Sequence, residues 1–290
     1  MKRKIIPIII IFAGIALLLY PWIANYINEQ SAQSTINTYK DKVKNTDKKD
    51  LEEMLAKARE YNKRLASSHI ILTDPFAEDN KNGISEKEYY QLLNLDSTGV
   101  MCTLEIPSID VDLPVYHGTS NDVLERGAGH LEGTSLPVGG KNTHAVFTGH
   151  TGLNKAKLFT DLTELQKGDQ FYIHILGKTL AYEVDDINIV LPEDTSKLSI
   201  VNEKDYVTLI TCTPYGENTH RLLVRGKRTK YSPKKYKEDI LNLEGDKGGK
   251  SIIKSSDKIK YVDVCENTLF DIDNIDDFNN LLKRETVYEK

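Results

Sequence analysis

The beginning of the chain contains an apolar stretch that constrains where the rest can fold. Residues 5–28 carry no charged side chain, and Lys2, Arg3 and Lys4 directly before them are all basic. A helix needs about 20 mainly apolar residues to cross a bilayer, so this stretch is long enough for one crossing. Basic residues flanking such a helix stay on the cytoplasmic side, which predicts that the chain after residue 28 lies outside the cell.

A cleaved signal peptide is the alternative interpretation of the same stretch. Such a peptide has a shorter apolar core and a cleavage site made of small residues. The stretch here is long and contains Tyr20-Pro21-Trp22 near its end, which is typical of a membrane interface rather than a cleavage site. We therefore predict an uncleaved single-pass anchor, with its cytoplasmic tip, over residues 1–28.

Composition and cysteine content exclude several classes of protein. The chain has 290 residues, with 38 basic and 43 acidic side chains, and a net charge of −5 argues against a dedicated nucleic-acid binder. It has only three cysteines, Cys102, Cys212 and Cys265. This low and odd number excludes a small domain held together by disulfides. None has C-x-x-C spacing, and the acidic run at 271–277 lacks EF-hand spacing, so no metal site is predicted.

The region between the anchor and the first strand has the pattern of a helical arm. Residues 29–96 are mostly polar, and apolar residues recur at helical spacing over 51–65. A loop over about 67–84, with Asp-Pro, Asn and Gly residues, interrupts this pattern. A Ser-x-x-Glu capping box then predicts a short helix over about 85–95.

Residues 97–231 have the pattern of a β domain. Seven short strand-like runs are separated by turns rich in Gly, Pro and Asn, and short helical insertions are predicted at 121–126 and 154–166. This succession is typical of a closed or nearly closed β-barrel and not of alternating βαβ units. Residues 232–290 are predicted to form a helix at 233–243 and a polar tail without a second membrane-spanning segment.

The segment with the clearest chemistry surrounds Cys212. This cysteine ends a strand and opens a loop with Pro and Gly, and Arg221 begins the next strand nine residues later. If the two strands pair as a hairpin, the thiol and the guanidinium lie at adjacent strand ends. A fixed cation nearby favours the reactive thiolate. The donors of an arginine can also stabilise a developing oxyanion.

A histidine follows an earlier strand in the sequence F-T-G-H-T-G-L. His150 directly after such a strand can donate a proton to a leaving amine. Spacing alone does not bring His150 beside Cys212, because 62 residues separate them. His220, adjacent to Arg221, is the alternative base.

Taken together, T-L-I-T-C, the arginine nine residues after it and F-T-G-H-T-G-L before it resemble the sortase family of cell-surface transpeptidases. The similarity runs through residues 97–230. It implies an eight-stranded β-barrel, in agreement with the strand pattern. It also implies that Cys212 is the nucleophile, His150 the proton donor and acceptor, and Arg221 the group that stabilises oxyanion and substrate, with Thr211 in a supporting position.

The loop ahead of the barrel contains Asp74, Pro75 and Phe76. An Asp-Pro-aromatic motif at this place resembles the lid of class C, or pilin-polymerising, sortases, where it covers the active site. The resemblance implies that Asp74 pairs with Arg221 and that Phe76 shields Cys212.

The same resemblance implies a membrane-anchored transpeptidase that needs no metal or organic cofactor. It would cleave a Leu-Pro-x-Thr-Gly-like sorting signal between Thr and Gly through a thioacyl intermediate. Transfer to an amine of a pilin lysine or a cell-wall peptide would polymerise pili or attach surface proteins. The alternatives are a sortase-like cysteine peptidase that hydrolyses the intermediate, and a non-catalytic surface binding barrel. Many class C sortases have a second hydrophobic segment near the C-terminus, whereas residues 232–290 are polar.

Overall fold

The computed structural model describes residues 2–68, 72–76, 86–96, 98–152, 156–233 and 235, and of residues 2–13, 15–17, 86 and 87 only the backbone. The helices in these ranges are α1 Lys2–Asn45, α2 Lys48–Ala66, α3 Glu86–Gln91 and α4 Asn121–Leu124. The strands are β1 Val100–Ile106, β2 Val111–His117, β3 Ala128–His130, β4 Thr143–Thr148, β5 Gln170–Ile175, β6 Lys178–Val190, β7 Asp205–Thr213 and β8 His220–Thr229. Short 3-10 helices lie at Pro107–Ile109, Thr160–Glu164 and Ser196–Leu198.

The eight strands form a closed barrel in the order β1-β2-β3-β4-β7-β8-β6-β5, with β5 paired back to β1. The pairs β2–β3 and β4–β7 are parallel, and the other pairs are antiparallel. Closure gives every strand two hydrogen-bonded neighbours, which removes the exposed edges of an open sheet. The prediction of a mainly β, eight-stranded barrel is confirmed.

Strand β3 is the one that the residue pattern did not reveal. It consists of Ala128, Gly129 and His130, which is too short for any alternation to be recognised. Its place is determined by its neighbours, because it pairs in parallel with β2 and antiparallel with β4. A Cβ on Gly129 would collide with the carbonyl oxygen of Gly118, so glycine is required for this close approach.

Strand β1 is buried on both faces rather than on one. In its regular part Thr103 is as fully buried as Leu104, although neighbours in a strand point to opposite sides. Helix α1 covers the outer side, where the Tyr39 hydroxyl donates to the carbonyl oxygen of Met101 at 3.0 Å. The same hydroxyl accepts a hydrogen bond from the backbone N–H of Leu176 at 3.1 Å. The helical arm is therefore part of the barrel's packing.

The predicted arm consists of two helices, because α1 ends at Asn45 and α2 begins at Lys48. The apolar face predicted over 51–65 is the face that α2 buries, and it joins the same hydrophobic cluster as the barrel strands. A buried polar contact adds to this packing. The Asn62 side chain donates to the carbonyl oxygen of Leu136 at 2.9 Å and accepts from its N–H at 2.8 Å.

The short helices predicted around the barrel are all briefer in the structure. Helix α4 covers four residues of the range 121–126, and the segment before β5 holds only the 3-10 helix at Thr160–Glu164. Helix α3 ends at Gln91 instead of near residue 95, and Leu93 has a φ of 57°, which a helix cannot accommodate. The helix predicted at 233–243 lies almost wholly outside the described residues.

The N-terminal apolar stretch lies within α1. Judged on the residues whose side chains are described, no helix is long and apolar enough to cross a membrane. Much of the stretch at 5–28 consists of residues of which only the backbone is described. The anchor therefore stays a prediction, as do the statements about the tail, since residues 236–290 are outside the described ranges.

We expect the replacement Asn62→Ala to lower the free energy of unfolding by about 2–4 kcal/mol, since each buried backbone group left without a partner costs about 1–3 kcal/mol. Urea unfolding followed by circular dichroism measures this loss. Lys63→Ala on the exposed side of the same helix is the control, and it should change stability by less than about 0.5 kcal/mol. Equal effects of the two substitutions would show that the contact of Asn62 with Leu136 does not stabilise the fold.

Candidate active site

Cys212 and Arg221 face each other across the β7–β8 hairpin. The antiparallel register makes them direct partners. Side chains of directly opposed residues lie on the same side of a sheet, with Cβ atoms about 4.5–5.5 Å apart. The hairpin expected from the sequence is therefore present, and it brings the thiol and the guanidinium to the same end of the barrel.

His150 reaches this end through the parallel pairing of β4 with β7. The ladder aligns Thr148 with Ile210, and the backbone N–H of Gly149 donates to the carbonyl oxygen of Ile210 at 3.0 Å. His150 and Cys212 each come two residues after this last aligned pair. The parallel register thus brings the two residues to the same end of the barrel although they are distant in sequence.

The backbone before His150 is held from two sides. The Thr211 hydroxyl, which is fully buried, donates to the carbonyl oxygen of Gly149 at 2.7 Å. The ring of Phe159 packs so closely that a Cβ on Gly149 would lie 2.7 Å from it. The N–H of Phe159 also donates to the carbonyl oxygen of His150 at 3.1 Å. Sequence reasoning missed Phe159, and the glycine in F-T-G-H was the signal that a bulky group lies close.

The lid residue Asp74 binds Arg221 through two hydrogen bonds. The guanidinium Nε and Nη2 donate to the two carboxylate oxygens at 2.9 and 2.6 Å. The third nitrogen, Nη1, donates to the backbone carbonyl oxygens of Asn218 and His220 at 3.0 and 3.1 Å. All three nitrogens of the guanidinium are therefore engaged, and two of them are bound to the lid.

Phe76 of the lid contacts both neighbours of the thiol. Its ring centroid lies 5.7 Å from that of His150 and 5.0 Å from the Arg221 guanidinium carbon. Pro75 between the two lid contacts is buried. The contacts of Phe76 thus flank Cys212, while the shielding of Cys212 itself stays a prediction. Of the loop expected over 67–84, the structure describes residues 67–68 and 72–76.

A second, smaller hydrophobic cluster supports the lid. Its buried members come from the loop after β3, the β6–β7 loop and the strands around the site, and they are Leu131, Val146, Leu198, Ile210 and Leu223. Leu72, Phe76 and Val190 pack against this cluster half-buried. The Thr195 hydroxyl in the β6–β7 loop donates to the carbonyl oxygen of Leu72 at 3.3 Å. The lid is therefore held by four kinds of contact, namely an ion pair, ring contacts, a hydrogen bond and packing on a small apolar cluster.

The electrostatics of the closed site oppose ionisation of the thiol. Burial raises the pKa of Cys212 above its usual value, and the nearby Asp74 carboxylate raises it further. The positive charge of Arg221 lowers the same pKa but does not outweigh the other two effects. Arg221 therefore favours the thiolate as expected, but burial, which was not visible in the sequence, raises the pKa of Cys212 overall in the closed conformation.

The other candidate residues are less suited to the chemistry. Cys102 lies in the core, where burial raises the pKa of its thiol well above the usual value. His220 pairs with Thr213, one position along from the Cys212–Arg221 pair. Because neighbours in a strand alternate between faces, His220 points to the side opposite the thiol. Within the described residues, no group of His, Cys, Asp and Glu could hold a metal ion.

Comparison with known proteins places this site in a family. Residues 104–229 match the Sortase domain family. Sortase D of Bacillus subtilis is 35% identical over 128 residues, which cover 43% of this chain and 62% of that protein. The chain thus spans somewhat less than two thirds of the length of that relative.

Solved structures extend the similarity over almost the whole length of the matched chains. The sortase C-1 structure from Actinomyces oris is 48% identical to this chain, with a TM-score of 0.60. The match covers 63% of this chain and 99% of that structure's chain. The sortase C-1 structure from Streptococcus pneumoniae is 47% identical, with a TM-score of 0.63. The match covers 69% of this chain and 100% of that structure's chain. The chain belongs to the sortase family, and these two structural neighbours are class C sortases.

We expect Asp74→Asn to lower the pKa of Cys212, because the anionic thiolate is favoured once the neighbouring negative charge is removed. The rate of Cys212 alkylation by iodoacetamide, followed against pH in a Cys265→Ser background, should reach half its maximum at a lower pH than in the unmodified site. Glu203→Gln is the control, because Glu203 lies before β7 at the opposite end of the barrel, and it should leave that midpoint unchanged. A midpoint that stays the same or rises in Asp74→Asn would contradict the effect of the lid carboxylate.

Proposed function

We propose that this protein is a membrane-anchored transpeptidase that acts on sorting-signal peptides at the cell surface. The observation that carries the proposal is the convergence of Cys212, His150 and Arg221 at one end of the barrel. Family membership supports it. A Streptococcus pneumoniae sortase C of solved structure, 46% identical to this chain, is described for its pilin substrate specificity, which favours a pilin as the substrate here.

The first half of the proposed reaction forms a thioester. The Cys212 thiolate attacks the carbonyl carbon of the threonine in a Leu-Pro-x-Thr-Gly-like signal, and the carbonyl electron pair moves to the oxygen. Arg221 donates hydrogen bonds to this oxyanion. When the intermediate collapses, the carbon–nitrogen bond breaks, and the departing glycine nitrogen takes a proton from protonated His150. Thr211 holds the Gly149 carbonyl, which positions the histidine backbone.

The second half returns the enzyme to its starting state. An amine, from a pilin lysine or a cell-wall peptide, gives a proton to His150 and attacks the thioester carbonyl. The carbon–sulfur bond breaks and the sulfur leaves as the Cys212 thiolate, so an amide replaces the thioester. This is nucleophilic catalysis by side chains alone. Water in place of the amine would give hydrolysis by the same steps.

The lid formed by Asp74, Pro75 and Phe76 is proposed as a reversible block of this reaction. While Asp74 occupies Nε and Nη2 of Arg221, these donors are not available to an oxyanion. The thiol is half-buried, which raises its pKa, and the closed lid is proposed to contribute to this burial. Opening of the lid therefore releases the oxyanion donors and removes two causes that oppose the thiolate.

The proposed location is the outer face of the cell membrane. The absence of charge over 5–28, after three basic residues, supports a single-pass anchor with a cytoplasmic N-terminus. Trp22 has 79% of its surface exposed and Leu18 has 77%, which is costly in water and favourable within a bilayer.

The reaction is tested by trapping the thioester. Incubation of the full chain with a Leu-Pro-x-Thr-Gly peptide should yield an adduct on Cys212 that mass spectrometry locates. Cys212→Ala should give no adduct and no turnover, whereas Cys265→Ser should retain both. An adduct or transpeptidation in Cys212→Ala would disprove the proposal. If neither a thiol reagent nor the peptide reaches Cys212, even when the lid residues are substituted, the protein is a non-catalytic binding barrel.

Transfer and hydrolysis are separated by their products. With a lysine-containing acceptor peptide in excess, the ligated product should dominate, and the free Leu-Pro-x-Thr acid should form mainly when the acceptor is omitted. If the acid is the main product under both conditions, the protein is a cysteine peptidase.

We expect the double substitution Asp74→Ala with Phe76→Ala to raise the rate at which a thiol reagent modifies Cys212 by about tenfold or more. A lid whose closed state is favoured by about 1.4 kcal/mol of free energy is open about one tenth of the time, and the substitutions remove this preference. Mass-spectrometric labelling kinetics at constant pH measure this rate. Lys141→Ala, at an exposed position at the opposite end of the barrel, is the control and should leave it unchanged. An unaltered rate in the double variant would show that the lid does not occlude the thiol.

A further inference from the structure

Helix α1 makes contacts at two separate places along the barrel. Near the end of the apolar stretch, the Asn25 side chain accepts a hydrogen bond from the backbone N–H of Lys157 at 2.9 Å. One turn later, the Asn28 amide donates to the carbonyl oxygen of Glu125 at 3.4 Å. At the other end of the helix, Val43 lies against Gly177 in the β5–β6 turn. From Asn25 to Val43 the helix rises about 27 Å, which is comparable to the height of a small barrel.

The contacts of Asn25 and Asn28 are made at the active-site end of the barrel. Lys157 lies two residues before Phe159, whose N–H donates to the carbonyl oxygen of His150. Glu125 precedes β3, and β3 begins beside the end of β4, the strand that leads to His150. The first contacts of α1 are thus made with segments directly connected to the catalytic histidine.

The contact of Val43 is made at the opposite end. Gly177 immediately precedes β6, and the far end of β6 aligns Val190 with Arg221 in β8. The start of β6 is therefore the end of the barrel that lies away from the active site. Helix α1 meets the barrel at its active-site end and continues toward the other end.

The apolar stretch lies next to the first of these contacts. Trp22, a residue type that lies preferentially at the membrane interface, precedes Asn25 by three residues, or about 4.5 Å of helix rise. The headgroup layer on each side of a bilayer is about 5–8 Å thick. Because α1 is one continuous helix through this region, a bilayer around Trp22 would bring its headgroups to the level of Asn25.

We propose that the active-site end of the barrel rests against the outer surface of the lipid bilayer, with the segments at Arg126 and Lys157 at headgroup level. The proposal rests on the membrane anchor proposed above. It is carried by the Asn25 and Asn28 contacts, which fix the anchor helix to this end of the barrel. The partner is the lipid surface itself, and Cys212 is then reached by peptides held close to the membrane.

The orientation can be measured on the full chain in vesicles of phosphatidylcholine and phosphatidylglycerol. A Cys212→Ala, Cys265→Ser background leaves the buried Cys102, and one added cysteine, Arg126→Cys or Lys141→Cys, carries a fluorophore. Position 126 lies at the active-site end, and position 141 precedes β4 at the opposite end. A lipid with a quencher on its headgroup should quench the label at 126 at least about threefold more than that at 141, since the two ends differ by a height similar to the ~27 Å helix.

A matched variant separates orientation from simple anchoring. In this variant, seven helix-forming residues are inserted between Trp22 and Ile23, which moves the barrel about 10 Å away from the bilayer. Quenching of the label at 126 should then fall toward that at 141, while the protein still floats with the vesicles. Equal quenching at both positions without the insertion, or stronger quenching at 141, would overturn the orientation and leave the anchor intact. Failure to float would overturn the anchor and the orientation together, whereas ligation of a soluble peptide in detergent reports on the transpeptidase reaction independently.

Discussion

The parallel hydrogen-bond ladder between β4 and β7 is the constraint on which the site depends. It is a long-range pairing, because the two strands are separated by β5 and β6 in the chain, and both leave the ladder at the same end. A parallel ladder carries each strand's continuation to the same edge, so the residues that follow β4 and end β7 meet there. A slip of one residue in this ladder would move His150 out of line with Cys212. Thr211 adds a side-chain bond to Gly149 that holds this register where the strands end.

This constraint also explains how much of the site could be predicted. The Cys212–Arg221 pair follows from a local hairpin whose partners are nine positions apart, and alternating strands and turn residues were enough to predict it. His150 depends on the β4–β7 pairing, which no local pattern specifies, so it was assigned through the family's motifs. The barrel class followed from the strand succession, whereas β3 was missed because three residues cannot show a period of two. The length of α3 was overestimated because the backbone turns to a positive φ at Leu93, which the helical pattern of the sequence did not indicate.

Arg221 serves two opposed states with the same donors. In the closed state its Nε and Nη2 satisfy the Asp74 carboxylate, and the partly buried pair keeps both charges compensated. A buried charge left without a partner costs several kcal/mol, so the guanidinium needs an anion whenever the site is dry. The oxyanion of the thioester-forming step is such an anion. The lid carboxylate thus occupies the place of the charge that develops in the reaction, and the desolvated thiol stays protonated until the exchange occurs.

The lid can make this exchange without disturbing the arm that carries it, because the two are held by unequal contacts. Tyr39 and Asn62 connect α1 and α2 to the barrel through fully buried hydrogen bonds, and α2 contributes a whole apolar face to the main core. The described lid residues are held by one ion pair, the ring contacts of Phe76, the hydrogen bond from Thr195 to Leu72 and half-buried packing of Leu72 and Phe76 on a small separate cluster. Local opening requires the least free energy where buried apolar contacts are fewest, so the lid opens well before the arm detaches. A substrate therefore competes with a few contacts at the site, while the packing that positions Cys212 and His150 remains in place.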